Sequence, residues 1–172
     1  MDSQHRHFNW RRMSAQDMAT VALIAAQVHP DYPEDERIFA ERQALYPDGC
    51  LLLETGAQVA GYVISHPWQE RQPPALNSLL QALPAIPSTY YIHDVALLPA
   101  ARGLGAASQL VDILMQLAQA ADLATMSLVA VNDSHAFWAR HGFALINDPA
   151  LQEKLNSYDA AARFLAKDIA RC

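Results

Sequence analysis

The sequence predicts an α/β protein in which a mixed sheet is layered with helices, one domain over residues 1–172. Three observations predict it. Short apolar runs bounded by Gly and Pro alternate with stretches whose apolar residues recur at helical spacing, the pattern of interleaved strands and helices. Thr55-Gly56 lies between two apolar runs and reads as a hairpin turn. A chain of 172 residues with 52% hydrophobic and 17% charged content can bury about two-thirds of its unfolded surface in one core. No repeat of 20–50 residues and no compositional shift marks a second domain.

Taken in order, "HFNWRRM" is a short strand. "SAQDMATVALIAAQVH" starts on a capping-box pair, Ser14 and Asp17, and carries Met18, Val21, Ile24, Ala25 and Val28 on one face, so it reads as a helix. "PDYPEDERIFAERQALYPDG" reads as a second helix with Pro33 at its first position, acids in its first turn and a stop at Pro47 and Gly49. The hairpin follows, its second strand running from about Gln58 to Ser65. "QERQPPALNSLLQALPAIPST" holds five of the ten prolines and reads as a long irregular connection with one helical turn near Leu79; loops of that length are usually functional. "TYYIHDVALL" is a strand, and "RGLGAASQLVDILMQLAQAAD" places Leu110, Ile113, Leu114 and Leu117 on one helix face. "ATMSLVAV" is a buried strand, "NDSHAFWARHGF" a short helix, "FALIN" a strand, and the tail a short helix before a last strand at Arg163 to Lys167.

Charge and composition exclude several functions. The net charge is −6 and the 12 Lys and Arg residues are scattered, with no run longer than Arg11-Arg12. Phosphate backbones demand a clustered basic face, so no nucleic-acid partner is expected. The negative balance suits a cationic or amine-bearing ligand. Cys50 and Cys172 are far apart and unsuited to a structural disulfide, which points to a reducing, cytoplasmic setting. The N-terminus lacks the apolar core of a signal peptide, and no apolar run approaches the roughly 20 residues that span a bilayer, so no membrane association is expected. No metal site is expected either: His135 and His141 are off the i,i+4 spacing of a helical ligand pair, and His5 and His7 read as a solvated terminus.

"LLPAARGLGAASQLV" carries the strongest chemical signal. A strand gives way to a long helix through Arg102, Gly103, Leu104, Gly105, Ala106, Ala107 and Ser108, most of them small. Small residues let backbone N–H groups at a helix N-terminus approach an anion, and the helix dipole adds partial positive charge. Three or four such bonds, each worth about 1.5–3 kcal/mol, anchor a pyrophosphate without a lysine. No Lys-Ser/Thr pair follows, as a Walker turn requires, and the third glycine of a dinucleotide fingerprint is missing.

The wider context resembles the GCN5-related N-acetyltransferase family. Its cofactor signature, Q/R-x-x-G-x-G/A, is matched by Arg102, Gly105 and Ala107, between the strand "YIHDVALL" and an amphipathic helix. Strand "SLVAV", Asn132 and an aromatic helix ending at Gly142-Phe143 complete a likeness over residues 89–143. It implies a mostly antiparallel sheet whose central strands splay, and acetyl-CoA as co-substrate. Val95, Ala96 and Leu97 would then meet the pantetheine arm and the amides of Gly103 through Ser108 the pyrophosphate, while Asn132, with Ser134 near it, would contact the cofactor from the end of the splayed strand. The implied reaction is direct transfer of an acetyl group, within a ternary complex, to a primary amine, here of a small molecule. A protein acceptor and a non-catalytic acyl-CoA-binding module are the alternatives; a homodimer is compatible with the sequence.

Acetyl transfer needs a neutral amine, a polarised thioester carbonyl and a proton for the departing sulfur. Positioning alone is worth roughly 7–11 kcal/mol, and a backbone N–H near Val95 would polarise the carbonyl. His93, on the strand before the glycine turn, has a suitable intrinsic pKa for a base, and it resembles histidines on the corresponding strand of arylalkylamine acetyltransferases. Strand alternation places Tyr91, His93, Val95 and Leu97 on one face and Ile92, Asp94 and Ala96 on the other. A histidine satisfied by a neighbour is the competing reading, with Asp94 orienting it or binding the amine. Family members usually carry a tyrosine four residues before the Gly-Phe pair; this chain has Trp138, whose indole donates a hydrogen bond but is no acid. Ser134 or Tyr158 would have to supply a hydroxyl, or the thiolate leaves unassisted. Tyr32, His66, Trp68 and Tyr91 are candidates to border the acceptor.

Overall fold

In the computed structural model, which describes residues 7–156 and 158–169, two apolar layers sandwich one sheet. His5 and Cys172 lie outside the described residues. Seven strands, β1 (Phe8–Arg12), β2 (Cys50–Thr55), β3 (Gln58–Trp68), β4 (Thr89–Leu97), β5 (Thr125–Ala130), β6 (Ala144–Leu145) and β7 (Arg163–Asp168), form a sheet of order β1-β2-β3-β4-β5-β7-β6. Every pairing is antiparallel except β4 with β5. Helices α1 (Met18–Val28) and α2 (Glu36–Leu45) cover one face, α3 (Ala106–Ala120) the other, with α4 (His135–Arg140) and α5 (Pro149–Leu155) at the β5–β7 end.

Alternation along the strands builds these layers. Leu51, Val63, Tyr90 and Ile92 pack with Leu110, Val111, Leu114 and Ala118 of α3. Cys50, Leu52, Tyr62 and Ile64 face Met18, Val21 and Ile24 of α1 and Phe39 of α2. Each large apolar side chain buried this way contributes about 1.5–3 kcal/mol. The hairpin turns at Gly56, whose φ of +63° is costly for other residues. Cys50 is a buried free thiol. Among the described residues no helix is long and apolar enough to cross a membrane.

Four sequence expectations need correction. α2 begins at Glu36, three residues after Pro33. Glu34 and Asp35 are held outside the helix: the Asn77 N–H donates to Glu34 Oε2 at 3.0 Å and the Asp35 N–H to Asn77 Oδ1 at 2.8 Å. β3 continues past Ser65 to Trp68, because its last residues keep pairing with β4. The proline-rich connection contains no helical turn at Leu79. It is held instead by α2, with the Leu80 and Gln81 N–H groups donating to the Glu41 carboxylate and the buried Arg42 donating to the Ser78 carbonyl.

The fourth correction concerns β4. Ile64 pairs with Asp94 and Ser65 with Ile92, so His93 is an extra residue opposite no partner, a β-bulge. Alternation resets there. Tyr90, Ile92 and Val95 pack toward α3, while Asp94 joins Ala96, Tyr62 and Ile64 toward α1 and α2. His93 and Asp94, expected on opposite faces, both reach side chains of the α1–α2 layer, Glu34 and His29.

Candidate active site

β4 and β5 pair only through Tyr90–Met126, Tyr91–Ser127 and Ile92–Leu128. Beyond Ile92 the bulge bends β4 away, and the strands part. A cavity of about 560 Å³ fills the gap, lined by Val95 and Leu97 on one side, Val129 and Asn132 on the other, and Arg102, Gly103 and Ala107 at the glycine turn. This is the splay that the resemblance implied.

The glycine turn is built for close approach. Gly103 and Gly105 have φ of +77° and +82°, and nothing lies within 4 Å of where a Cβ would stand on either. The first helical bond of α3 runs from the Gln109 N–H to the Gly105 carbonyl at 3.1 Å, which leaves the N–H groups of Gly105 through Ser108 without an intrahelical acceptor. Ala106 is buried and its carbonyl accepts from the Trp10 indole at 3.1 Å, so the turn is tied to β1. Open space over the glycines, orphan donors and a flanking arginine fit a pyrophosphate. Leu104, Gly105, Ala106 and Ser108 belong to this turn without lining the cavity, whereas Ala96 is buried beneath it.

The bulge gathers a polar cluster at the inner end of the cleft. His93 Nε2 lies 2.8 Å from Glu34 Oε1, both side chains nearly buried. Burial alone would raise the Glu34 pKa; the charge and hydrogen bond of His93, the Asn77 N–H and Arg42 outweigh it and hold the carboxyl below its usual range. Glu34 therefore stays ionised and accepts a hydrogen bond from Nε2–H of His93, which leaves Nδ1 as the acceptor nitrogen of the neutral ring. Asp94 accepts from the Tyr62 hydroxyl and lies 2.9 Å from Nε2 of His29, the residue after α1.

A second cavity, about 60 Å³, adjoins this cluster, with His29, Glu34, Tyr91, His93 and Asp94 among its lining. Tyr32, Pro74, Leu76 and Tyr158 complete its lining. The Tyr32 hydroxyl donates to Asp159, and the Tyr158 hydroxyl to the Pro74 carbonyl. Those two bonds tie the α1–α2 connection and the proline-rich connection to the segment before β7. Of the four candidates for this region, Tyr32 and Tyr91 line the cavity; His66 and Trp68 do not. His66 is buried behind Tyr91, ring centroids 5.7 Å apart, and the Trp68 indole donates to the Gln72 carbonyl.

Candidate proton donors are committed elsewhere. Tyr158 is spent on Pro74, with its pKa pushed up to about 12 chiefly by burial. Ser134 Oγ donates to the Val131 carbonyl at 2.7 Å. Trp138 packs edge-on against Phe137 and Phe143 with centroids at 5.0 and 5.3 Å, a wall of the large cavity. Asn132 takes a left-handed backbone (φ +54°) that turns its amide back to His29 Nδ1 at 2.8 Å. Sequence reasoning missed His29, Glu34 and Arg140, the last of which also lines the large cavity. Glu34 and His29 sit in or beside a connection with no motif, and only the fold brings them to β4. Among the described residues no cluster of three or more His, Cys, Asp or Glu can hold a metal.

The model of the acetyltransferase (GNAT) family matches residues 10–143. No curated protein matches the chain. Solved structures share its fold at low identity. The loading GNATL domain of CurA from Lyngbya majuscula has a TM-score of 0.76 at 13% identity, covering 94% of this chain and 98% of that one. Naa20 from Chaetomium thermophilum, in complex with a bisubstrate analogue, has a TM-score of 0.67 at 18% identity, over 94% and 86%. Naa50 from Arabidopsis thaliana, in complex with the bisubstrate analogue CoA-Ac-MVNAL, has a TM-score of 0.66 at 13% identity, over 94% and 99%.

Proposed function

The chain belongs to the acetyltransferase (GNAT) family, and on that premise we propose that it transfers the acetyl group of acetyl-CoA to the primary amine of a compact small molecule, with His93 as general base. The observation that carries this reading is the pair of hydrogen bonds that border the small cavity. Bonds from Tyr32 to Asp159 and from Tyr158 to Pro74 bridge three chain segments across the acceptor side. An extended peptide would have to part both. The remaining space, about 60 Å³ lined by Tyr32, Leu76 and Tyr91 with Glu34 and Asp94 behind, suits a small amine whose positive charge is drawn by the carboxylates.

Bound acetyl-CoA supplies an activated acyl carbon. The chain's residues do the rest. The amides of Gly103 through Ser108 with Arg102 would hold the pyrophosphate, while Val95 and Leu97 with Val129, which line the cavity, would flank the arm. Glu34 fixes the His93 ring so that Nδ1 takes the proton of the attacking amine. The reading of a cytoplasmic enzyme rests on the unpaired, buried Cys50.

Acetyl-CoA-dependent thiol release with a panel of polyamines, arylalkylamines, amino acids and short peptides tests the assignment. Turnover is expected with small amines. Turnover with peptides alone would transfer the reading to a protein acetyltransferase. Tight CoA binding without turnover on any acceptor would leave an acyl-CoA-binding module.

A further inference from the structure

His29 stands between the two cavities and has no part in the mechanism above. It lines both, is 14% exposed, and makes three polar contacts, of which two require a hydrogen on Nε2. Nε2 is 2.9 Å from Asp94 Oδ1 and 3.1 Å from the Val95 carbonyl oxygen, both acceptors, so Nε2 carries a hydrogen. Nδ1 faces Asn132 Nδ2 at 2.8 Å, a donor, and so accepts in this arrangement. A half-turn of the Asn132 amide would present its oxygen and allow a second hydrogen on Nδ1.

Charged and titratable groups converge on this ring from every side. Asp94 faces it from β4 and is itself held by Tyr62 of β3; Glu34 acts on it from the α1–α2 connection, and His93 lines the same cavities. Burial disfavours its charged form, but the hydrogen bond and charge of Asp94, the Val95 carbonyl and the charge of Glu34 prevail, so the His29 pKa lies above its ordinary value.

Resting on the acetyl-transfer reading, we propose that His29 is the proton donor to the departing sulfur, the role for which Trp138, Ser134 and Tyr158 are unsuited. As the amine nitrogen forms its bond to the acyl carbon, the C–S bond breaks and its electron pair goes to sulfur. The proton on His29 Nδ1 passes to that sulfur, and the proton shed by the amine passes to His93 Nδ1. The products are the acetamide and the free thiol. One proton moving through solvent from His93 to His29 restores both rings. Asn132 positions the donor, since its amide must turn before Nδ1 can be protonated.

The test uses the full chain with CoA and with desulfo-CoA, which lacks the thiol. Titration of ¹⁵N-labelled histidines by NMR is expected to show a different His29 midpoint in the two complexes, because only one places a thiol beside the ring. Thiolate absorbance should show the bound CoA thiol ionising at lower pH in the wild type than in His29→Gln. With an accepted amine, His29→Gln is expected to lower kcat by roughly 10²–10⁴ with little change in KM and to remove the alkaline limb of the kcat profile. Equal His29 midpoints in both wild-type complexes would overturn the proposal even if the variant fails to fold. Unchanged kcat and alkaline limb in a folded variant would overturn it while leaving acetyl transfer standing. Absence of turnover in the wild type would instead count against the acetyl-transfer reading, which the thiol titration does not depend on.

Discussion

His66 and His93, with ring centroids 6.5 Å apart, show how environment divides identical side chains. His93 has a carboxylate partner and opens on both cavities. Its replacement by Ala is expected to lower kcat by roughly 10²–10⁴ and to shift the acid limb of the rate profile, checked by steady-state kinetics across pH. His66 is buried with Nδ1 donating to the Pro67 carbonyl and Nε2 unpartnered. Burial pushes its pKa down to about 3. The folded state thus favours neutral His66, so its contribution to stability is present above the unfolded value of about 6.5 and is lost as pH falls toward 3. His66→Leu is expected to flatten the loss of Tm over that window. The bulge and the Glu34 carboxylate give His93 a partner that Nε2 of His66 lacks.

At the scale of elements, the informative ones are the irregular ones. Helix α3 and the glycine turn were legible because apolar periodicity and small residues act locally. The β4 bulge was not, since one extra residue in a strand changes no composition or period, yet it turns Asp94 onto the same layer as His93. The proline-rich connection was legible as an irregular segment by its prolines, but its anchors, Glu41 and Arg42 of α2 and Tyr158 before β7, lie far away in sequence. If those anchors close the acceptor side, Tyr158→Phe combined with Tyr32→Phe should admit bulkier amines. The expected readout is a rise in kcat/KM for large acceptors relative to small ones. Each lost hydrogen bond is worth about 0.5–1.5 kcal/mol, so the fold itself should survive.

Across the whole molecule, the cleft exists because the sheet pairs parallel at a single place and parts beyond it. A donor bound as proposed would bridge β4, β5 and α3, which would couple binding to global stability. CoA at a hundred times its Kd should add about 2.7 kcal/mol, a rise in Tm of roughly 5–10 °C for a chain of this size. Gly105→Val, which adds a side chain at φ +82°, is expected to abolish that rise in a calorimetric scan. A full Tm shift in the variant would remove the turn from pyrophosphate binding.

The sequence by itself determined the layer of helices and strands, the glycine turn, the family and the class of donor, because each is written in local spacing that acts within a few residues. Tertiary structure alone decided which side chains meet at the inner end of the cleft. Glu34 reaches His93 across 59 positions and Asn132 reaches His29 across 103. Such contacts depend on how strands register and bend, which is settled by the packing of the whole core and not by any stretch of sequence.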